Sequence, residues 1–196
     1  MALESKQSDI ALMLQVKGGD MDAFEVLHER YQLRVLGYFY KLCRNSLMAN
    51  DLCQETFLRI WKVRKRYGAT GSFPGYLFGV ARMVWREKAR ELDKQRKLGI
   101  RCLIDDHLDT QSTVLQPDGD ASRSELEQAI FRALDSLPEE QREVFILRSI
   151  EGLSLSEIAE TLDCPLNTVR SRRILAVKKL RERLAGVFAS VMDQAL

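Results

Sequence analysis

Apolar residues recur at three- and four-residue steps over most of the chain. After "GGD" at 18–20, Phe24, Leu27, Tyr31, Val35, Phe39 and Leu42 fall on one stripe, which predicts a long amphipathic helix. Asp20 is a good N-cap for it, because its carboxylate can accept from an orphan N–H of the first turn. "RNSLMAND" interrupts the stripe, and a third helix is predicted from near Asp51, with Leu52, Phe57, Ile60 and Trp61 available for burial. "YGATGSFPG" holds three glycines and a proline and reads as a loop, followed by a fourth helix from about Tyr76 to Lys97. Periodicity lapses from Gly99 to Ser124. It resumes in "SELEQAIFRALDSL", with Leu126, Ile130, Ala133, Leu134 and Leu137 on one side. In "SLPEEQREVFILRSIEG", Ser136 and Glu139 have capping-box spacing; Ser154 and Glu157 have it again just downstream. The pattern predicts an all-α fold. Two small helical domains, 1–97 and 125–190, are joined by a flexible linker at 98–124 and followed by a short tail at 191–196.

Composition sharpens this only locally. With 45% hydrophobic and 30% charged residues in 196, and four prolines, the chain is a globular helical one. Its net charge of +2 excludes little. The linker is acidic, with Asp105, Asp106, Asp109, Asp118 and Asp120 against Arg101 and Arg123. No apolar run approaches the roughly 20 residues that span a bilayer. "MALESKQSDIALML" lacks a basic start followed by an apolar core, so no secretory signal is expected and the protein is read as cytoplasmic. Cys43, Cys53, Cys102 and Cys164 form no CxxC pair, and neither His28 nor His107 stands at metal-ligand spacing beside one. Neither a metal nor another cofactor is expected.

The clearest candidate chemistry is "SEIAETLDCPLNTVRSRRILAVKKL". A short helix breaks at "DCP" and restarts as a basic one. Ile158, Ala159 and Leu162 would face inward; Asp163 stands where such turns usually have glycine, and aspartate tolerates the left-handed conformation. Pro165 suits a helix start. Val169, Ala176 and Leu180 would pack back. From Pro165 to Arg183 there are seven bases and one acid. The outward face then carries Asn167, Arg170, Ser171 and Ile174, near the helix start from which side chains reach base edges. Arginine suits guanine, asparagine adenine, and an aliphatic group the thymine methyl. Thr168, Arg172, Arg173 and Lys178 suit phosphates. A solvated basic helix would explain the charge run alone, but not the turn, the capping box and the buried spacing with it.

A second basic helix follows the glycine loop. From Arg82 to Lys97 it holds seven bases and three acids, and aromatic residues (Phe57, Trp61, Tyr67, Phe73) precede it. Rings among cations beside a flexible loop suit unpaired bases, which stack while phosphates meet charge.

With "AFEVLHERYQLRVLGYFYKLC", "DLCQETFLRIWK", "FPGYLFGVAR" and "LDSLPEEQREVFILRSIEGLSLSEIAETLDCPLNTVRSRRILAVKKLRERL" in this order, the chain resembles the extracytoplasmic-function sigma factors of the sigma-70 family, over nearly its whole length. The resemblance implies a transcription initiation factor and not an enzyme. It would bind core RNA polymerase, direct it to −35/−10 promoters and aid melting. Asp51, Leu52, Gln54, Glu55, Phe57 and Leu58 would dock on the clamp helices of β′. Arg64, Arg66, Tyr67, Phe73, Arg82, Arg86 and Lys88 would meet the −10 element, Phe73 being open to a core role instead. The second domain would sit on the β flap and read −35, and the linker aspartates would follow a basic channel as nucleic acid does. An anti-sigma factor is an implied further partner. Met83 replaces a frequent asparagine of the family and Gly75–Tyr76 a usual tryptophan position, leaving the −10 base preference open. Leu175 stands where many relatives are polar.

Two rival readings follow from the residues alone. A helix-turn-helix regulator would bind an operator as a dimer. A nuclease would need clustered carboxylates or a nucleophile with its base, and the acids sit mostly in the linker.

Overall fold

The computed structural model describes residues 7–98 and 121–194. The chain divides into two compact units, residues 1–109 and 110–196. Every regular element among the described residues is helical. Most of the acidic linker, with its five aspartates, Cys102 and His107, lies outside them.

In the first unit, α1 (Asp9–Gly18) is capped by Ser8 and stopped by Gly19, whose φ of 101° is the left-handed conformation that glycine adopts at no steric cost. Asp20 then accepts from the Ala23 N–H at 3.0 Å and opens α2 (Met21–Cys43). The predicted α2 stripe lines the core, with Tyr38 added and Phe24 at its margin. The next helix, α3 (Ser46–Val63), starts five residues before the predicted Asp51. The break is only Arg44, in left-handed conformation at φ 56°, and Asn45, whose side chain accepts from the Met48 N–H at 2.8 Å. A cap immediately after a stop needs no loop. After a 3₁₀ turn at Arg64–Arg66, α4 (Phe73–Lys97) begins three residues before the expected Tyr76. Ser72 caps the Gly75 N–H and Pro74 sits where its missing N–H costs nothing. Edge-to-face aromatic pairs join α2 to its partners: Tyr38–Phe78 at 5.4 Å and Tyr31–Phe73 at 5.2 Å.

In the second unit, α5 (Ala121–Asp135) buries Ala129, Ala133, Leu134 and, just beyond it, Leu137. Ile130, expected on that face, is exposed. The predicted Ser136–Glu139 capping box does not form. Pro138 occupies the N-cap of α6 (Glu139–Phe145), and the Ser136 hydroxyl donates back to the Ala133 carbonyl at 2.7 Å. α6 widens into a π turn at Ile146–Ile150 and ends at Gly152, with Leu147 accepting from the Leu153 N–H at 3.0 Å. The short α7 (Leu155–Leu162) and long α8 (Leu166–Gln194) close the unit. Ala176 and Leu180 of α8 pack on Ala133 and Leu134 of α5 and on Leu137 just after it. α8 passes through position 190 without a break, so the expected tail begins as its continuation.

Candidate nucleic-acid interfaces

The α7–α8 turn forms as the sequence predicts. Ser154 and Glu157 make a reciprocal capping box. Asp163 adopts φ 49°, ψ 53°, and the N–H of Cys164 reaches the Ala159 carbonyl at 3.1 Å. Ile158, Leu162 and Val169 are buried, and Ala159 is half-buried. Opposite them, Asn167, Arg170, Ser171, Arg173, Ile174 and Lys178 are exposed and Thr168 half-buried. Arg170 Nη1 donates to Asn167 Oδ1 at 3.2 Å, so the guanidinium and amide are already oriented together one turn apart. The Asn167 amide nitrogen and the other guanidinium N–H groups stay available as donors. Ile174, 65% exposed, stands beside the exposed Leu175. Arg172 differs from the other candidates: it is half-buried, bonded to Glu140 at 2.5 Å and directed at the Cys164 sulfur at 3.8 Å.

Around the glycine loop, two candidates face inward. Tyr67 and Phe73 are 2% and 1% exposed, so neither ring can stack on a base in this conformation. They form part of an aromatic row: Tyr67 and Tyr76 at 5.0 Å, Tyr76 and Phe73 at 6.4 Å, Phe73 and Tyr31 at 5.2 Å. Burial raises the hydroxyl pKa of Tyr67 and Tyr76. Arg64 lies over the Trp61 ring at 4.1 Å and donates to the Trp61 carbonyl. The exposed part of the loop is Gly68–Gly71, tightened by a Thr70 N–H to Gly68 carbonyl bond of 2.6 Å. Of the helix candidates, Arg86 is exposed, Arg82 is half-buried, and Lys88 pairs with Glu91 at 2.9 Å. Met83, Arg86, Arg90 and Lys94 make one exposed stripe of α4. Arg90 and Lys94 continue the stripe at successive four-residue steps from Arg86, a spacing the sequence already shows.

On α3, Asp51, Gln54 and Leu58 are exposed in line, and Glu55 is half-exposed. Leu52 and Phe57 instead belong to the core, Phe57 meeting His28 at 4.6 Å and Phe24 at 6.3 Å. Helix phase explains both: positions 52, 53, 56, 57 and 60 share the inner face. The same phase puts Leu47, 77% exposed, in line with Asp51, Gln54 and Leu58; placing the helix start at Asp51 hid it. A crevice of about 350 Å³ beside this stripe is lined by Asn45, Leu47, Met48, Asp51, Leu52, Glu55 and Lys88. Arg59 ties α3 to α4, bonded to Glu55 at 2.7 Å and Glu87 at 2.6 Å. Those bonds raise the arginine pKa further, and the Arg59 bond lowers that of Glu87.

Among the described residues no three His, Cys, Asp or Glu gather where they could hold a metal, and no helix is long and apolar enough to cross a membrane.

Residues 27–95 match the family model "Sigma-70 region 2" and residues 127–180 match "Sigma-70, region 4". The chain is 30% identical over 186 residues to the ECF RNA polymerase sigma-E factor of Haemophilus influenzae, covering 90% of this chain and 95% of that protein. It is 33% identical over 165 residues to the ECF RNA polymerase sigma factor SigE of Mycolicibacterium smegmatis, covering 84% and 63%. Two solved structures share its fold. CnrH, in complex with the cytosolic domain of CnrY, aligns with a TM-score of 0.69 at 22% identity, covering 92% of this chain and 99% of that one. RpoE of Bartonella quintana, in complex with the anti-sigma factor NepR, aligns with a TM-score of 0.66 at 22% identity, covering 83% and 96%.

Proposed function

Since the chain belongs to the extracytoplasmic-function sigma factors of the sigma-70 family and is an alternative sigma factor, we propose how its residues divide that work. The first helical unit binds core RNA polymerase and the −10 element, and the second reads the −35 element. The stretch between them, near 98–124, serves as connector. The observation that carries this is the contrast of exposed faces. α3 presents Leu47, Asp51, Gln54 and Leu58, an acidic and apolar stripe suited to a basic protein surface such as the β′ clamp helices. α4 and α8 present cations suited to DNA.

On α8, Arg170, Asn167 and Ile174 contact base edges. Thr168, Ser171, Arg173 and Lys178 hold the backbone, and Arg172 chiefly orients the helix through Glu140. At −10, the Gly68–Ser72 loop, exposed at Gly68–Gly71, receives the unpaired base. Arg66, Arg82, Arg86 and Lys88 hold phosphates, while Arg64, Tyr67 and Phe73 support the loop from beneath. The protein performs no chemistry of its own; it acts in the cytoplasm, on the polymerase at the β flap and β′ clamp, and is held in check by an anti-sigma factor. RpoE of Bartonella quintana, which shares its fold, has been solved in complex with the anti-sigma factor NepR.

Each reader alone supplies few contacts. Polymerase fixes both at promoter spacing, so the second contact becomes intramolecular. The test is retardation of a −35/−10 duplex. The free chain should shift it weakly and without palindrome preference, and the chain with core polymerase should shift it strongly. Tight binding of a palindrome by the free chain would support a dimeric operator-binding regulator instead.

A further inference from the structure

Helix α1 holds the loop before α4 at both ends. At the near end, Lys17 in the last turn of α1 donates from Nζ to the Tyr67 carbonyl, 2.7 Å away and 50 residues along the chain. Tyr67 is where the chain leaves the 3₁₀ turn and starts the exposed loop. Its N–H is bonded to the Arg64 carbonyl at 3.1 Å, and its ring is buried against Tyr76. The carbonyl is its third point of attachment. At the far end, Asp9 in the first turn of α1 accepts from Arg30 at 2.7 Å and from the Tyr31 hydroxyl. Tyr31 in turn packs on Phe73, the first residue of α4. Burial, then the Asp9 bond, raises the Tyr31 pKa. α1 is itself fixed by Leu12, Met13 and Val16 in the core. Between these anchors lie Gly68 and Gly71, the latter at φ 78°, a left-handed conformation that glycine takes without strain.

We propose that Lys17 is a positioning residue for −10 recognition. Its ammonium sets the direction in which the Gly68–Ser72 loop leaves Tyr67, so that the loop meets the unpaired base in one geometry. The proposal rests on the assignment of that loop to the −10 element. Lys17 acts through the Tyr67 carbonyl, and it lies outside the 27–95 span matched to region 2. Support of a contact residue by a neighbour's hydrogen bond is what keeps a recognition loop from being loosely placed.

The experiment compares wild type, Lys17→Met and Lys17→Arg, each reconstituted with core polymerase, in transcription from promoters carrying each base in turn at the −10 positions. Lys17 is exposed, so the Met variant should fold with an unchanged melting temperature and bind polymerase normally. Its preference for the best −10 base should fall roughly three- to tenfold, the worth of a lost hydrogen bond. Lys17→Arg should restore that preference, since a guanidinium can donate to the same carbonyl. A Met variant with wild-type preference overturns the proposal. So does a loss equal across all promoters and shared by the Arg variant. A wild-type chain that gives no promoter-dependent transcript at all overturns the −10 assignment, and the proposal with it.

Discussion

Arg172 Nη2 donates to Glu140 Oε2 at 2.5 Å, tying the second turn of α8 to the start of α6. The guanidinium is mostly covered and the carboxylate mostly exposed. The pair links α8 to α6, and in the proposed division of roles it keeps Arg172 from phosphates. Glu140→Ala should change stability by less than about 1 kcal/mol, as for other surface pairs. It should release Arg172 to the backbone and steepen the salt dependence of −35 binding by about one counterion equivalent. A salt titration of holoenzyme binding checks this.

The Asn167–Arg170 pair predicts a split between specificity and affinity. Arg170→Ala should weaken −35 recognition by about 1–3 kcal/mol and relax the preference at one or two base pairs. Lys178→Ala should weaken binding evenly across sequences and flatten the salt slope. Competition binding over a panel of single-base −35 variants separates the two.

Adjacent positions of α3 should behave oppositely. Leu58 is 52% exposed, and Leu58→Asp should leave the melting temperature nearly unchanged while weakening core-polymerase binding on the order of tenfold. Phe57 is buried, and Phe57→Ala should cost about 3–5 kcal/mol of stability. Thermal melts beside polymerase titrations show which variant does which.

Cys53 should make the fold sensitive to alkali. Burial pushes its thiol up to about 11. The unfolded thiol ionises near 8.5, so the unfolded state gains charge first as pH rises. The stability from keeping this thiol neutral is fully present below about pH 8.5 and is lost as pH climbs toward 11. Cys53→Ala should remove that part of the alkaline decline; denaturant melts between pH 7.5 and 10.5 compare the slopes. Alkylation of Cys53 in the folded protein should be slow at pH 8, because the thiolate is the nucleophile.

The reader was legible because local rules settle it. A reciprocal cap, a left-handed Asp163 and Val169 at the right spacing involve contacts along a few residues. What stayed hidden depended on the rest of the fold. Nothing in "RNSLMAND" says that Arg44 alone suffices as the stop, so the sequence pattern starts α3 at Asp51 and hides Leu47. The periodicity of α3 offers Leu52 and Phe57 for burial, and the family resemblance alone adds them to the docking surface; the core takes both. Tyr67 and Phe73 resembled stacking platforms by composition, and only α1 and α2 packing beneath the loop puts them inside. Ser136 had the right spacing to Glu139, but Pro138 took the cap between them. Lys17 carried no motif; its role depends on a carbonyl that comes beside it only in the folded unit.

Run-off transcription with purified core polymerase tests the two-point reading most directly. Templates would carry an intact promoter, a −35 mutant, a −10 mutant and a changed spacer. The chain should give a transcript from the intact template only, with Arg170→Ala losing the −35 preference and Leu58→Asp losing the transcript through failed polymerase binding. No promoter-dependent transcript, or one indifferent to the spacer, would contradict it.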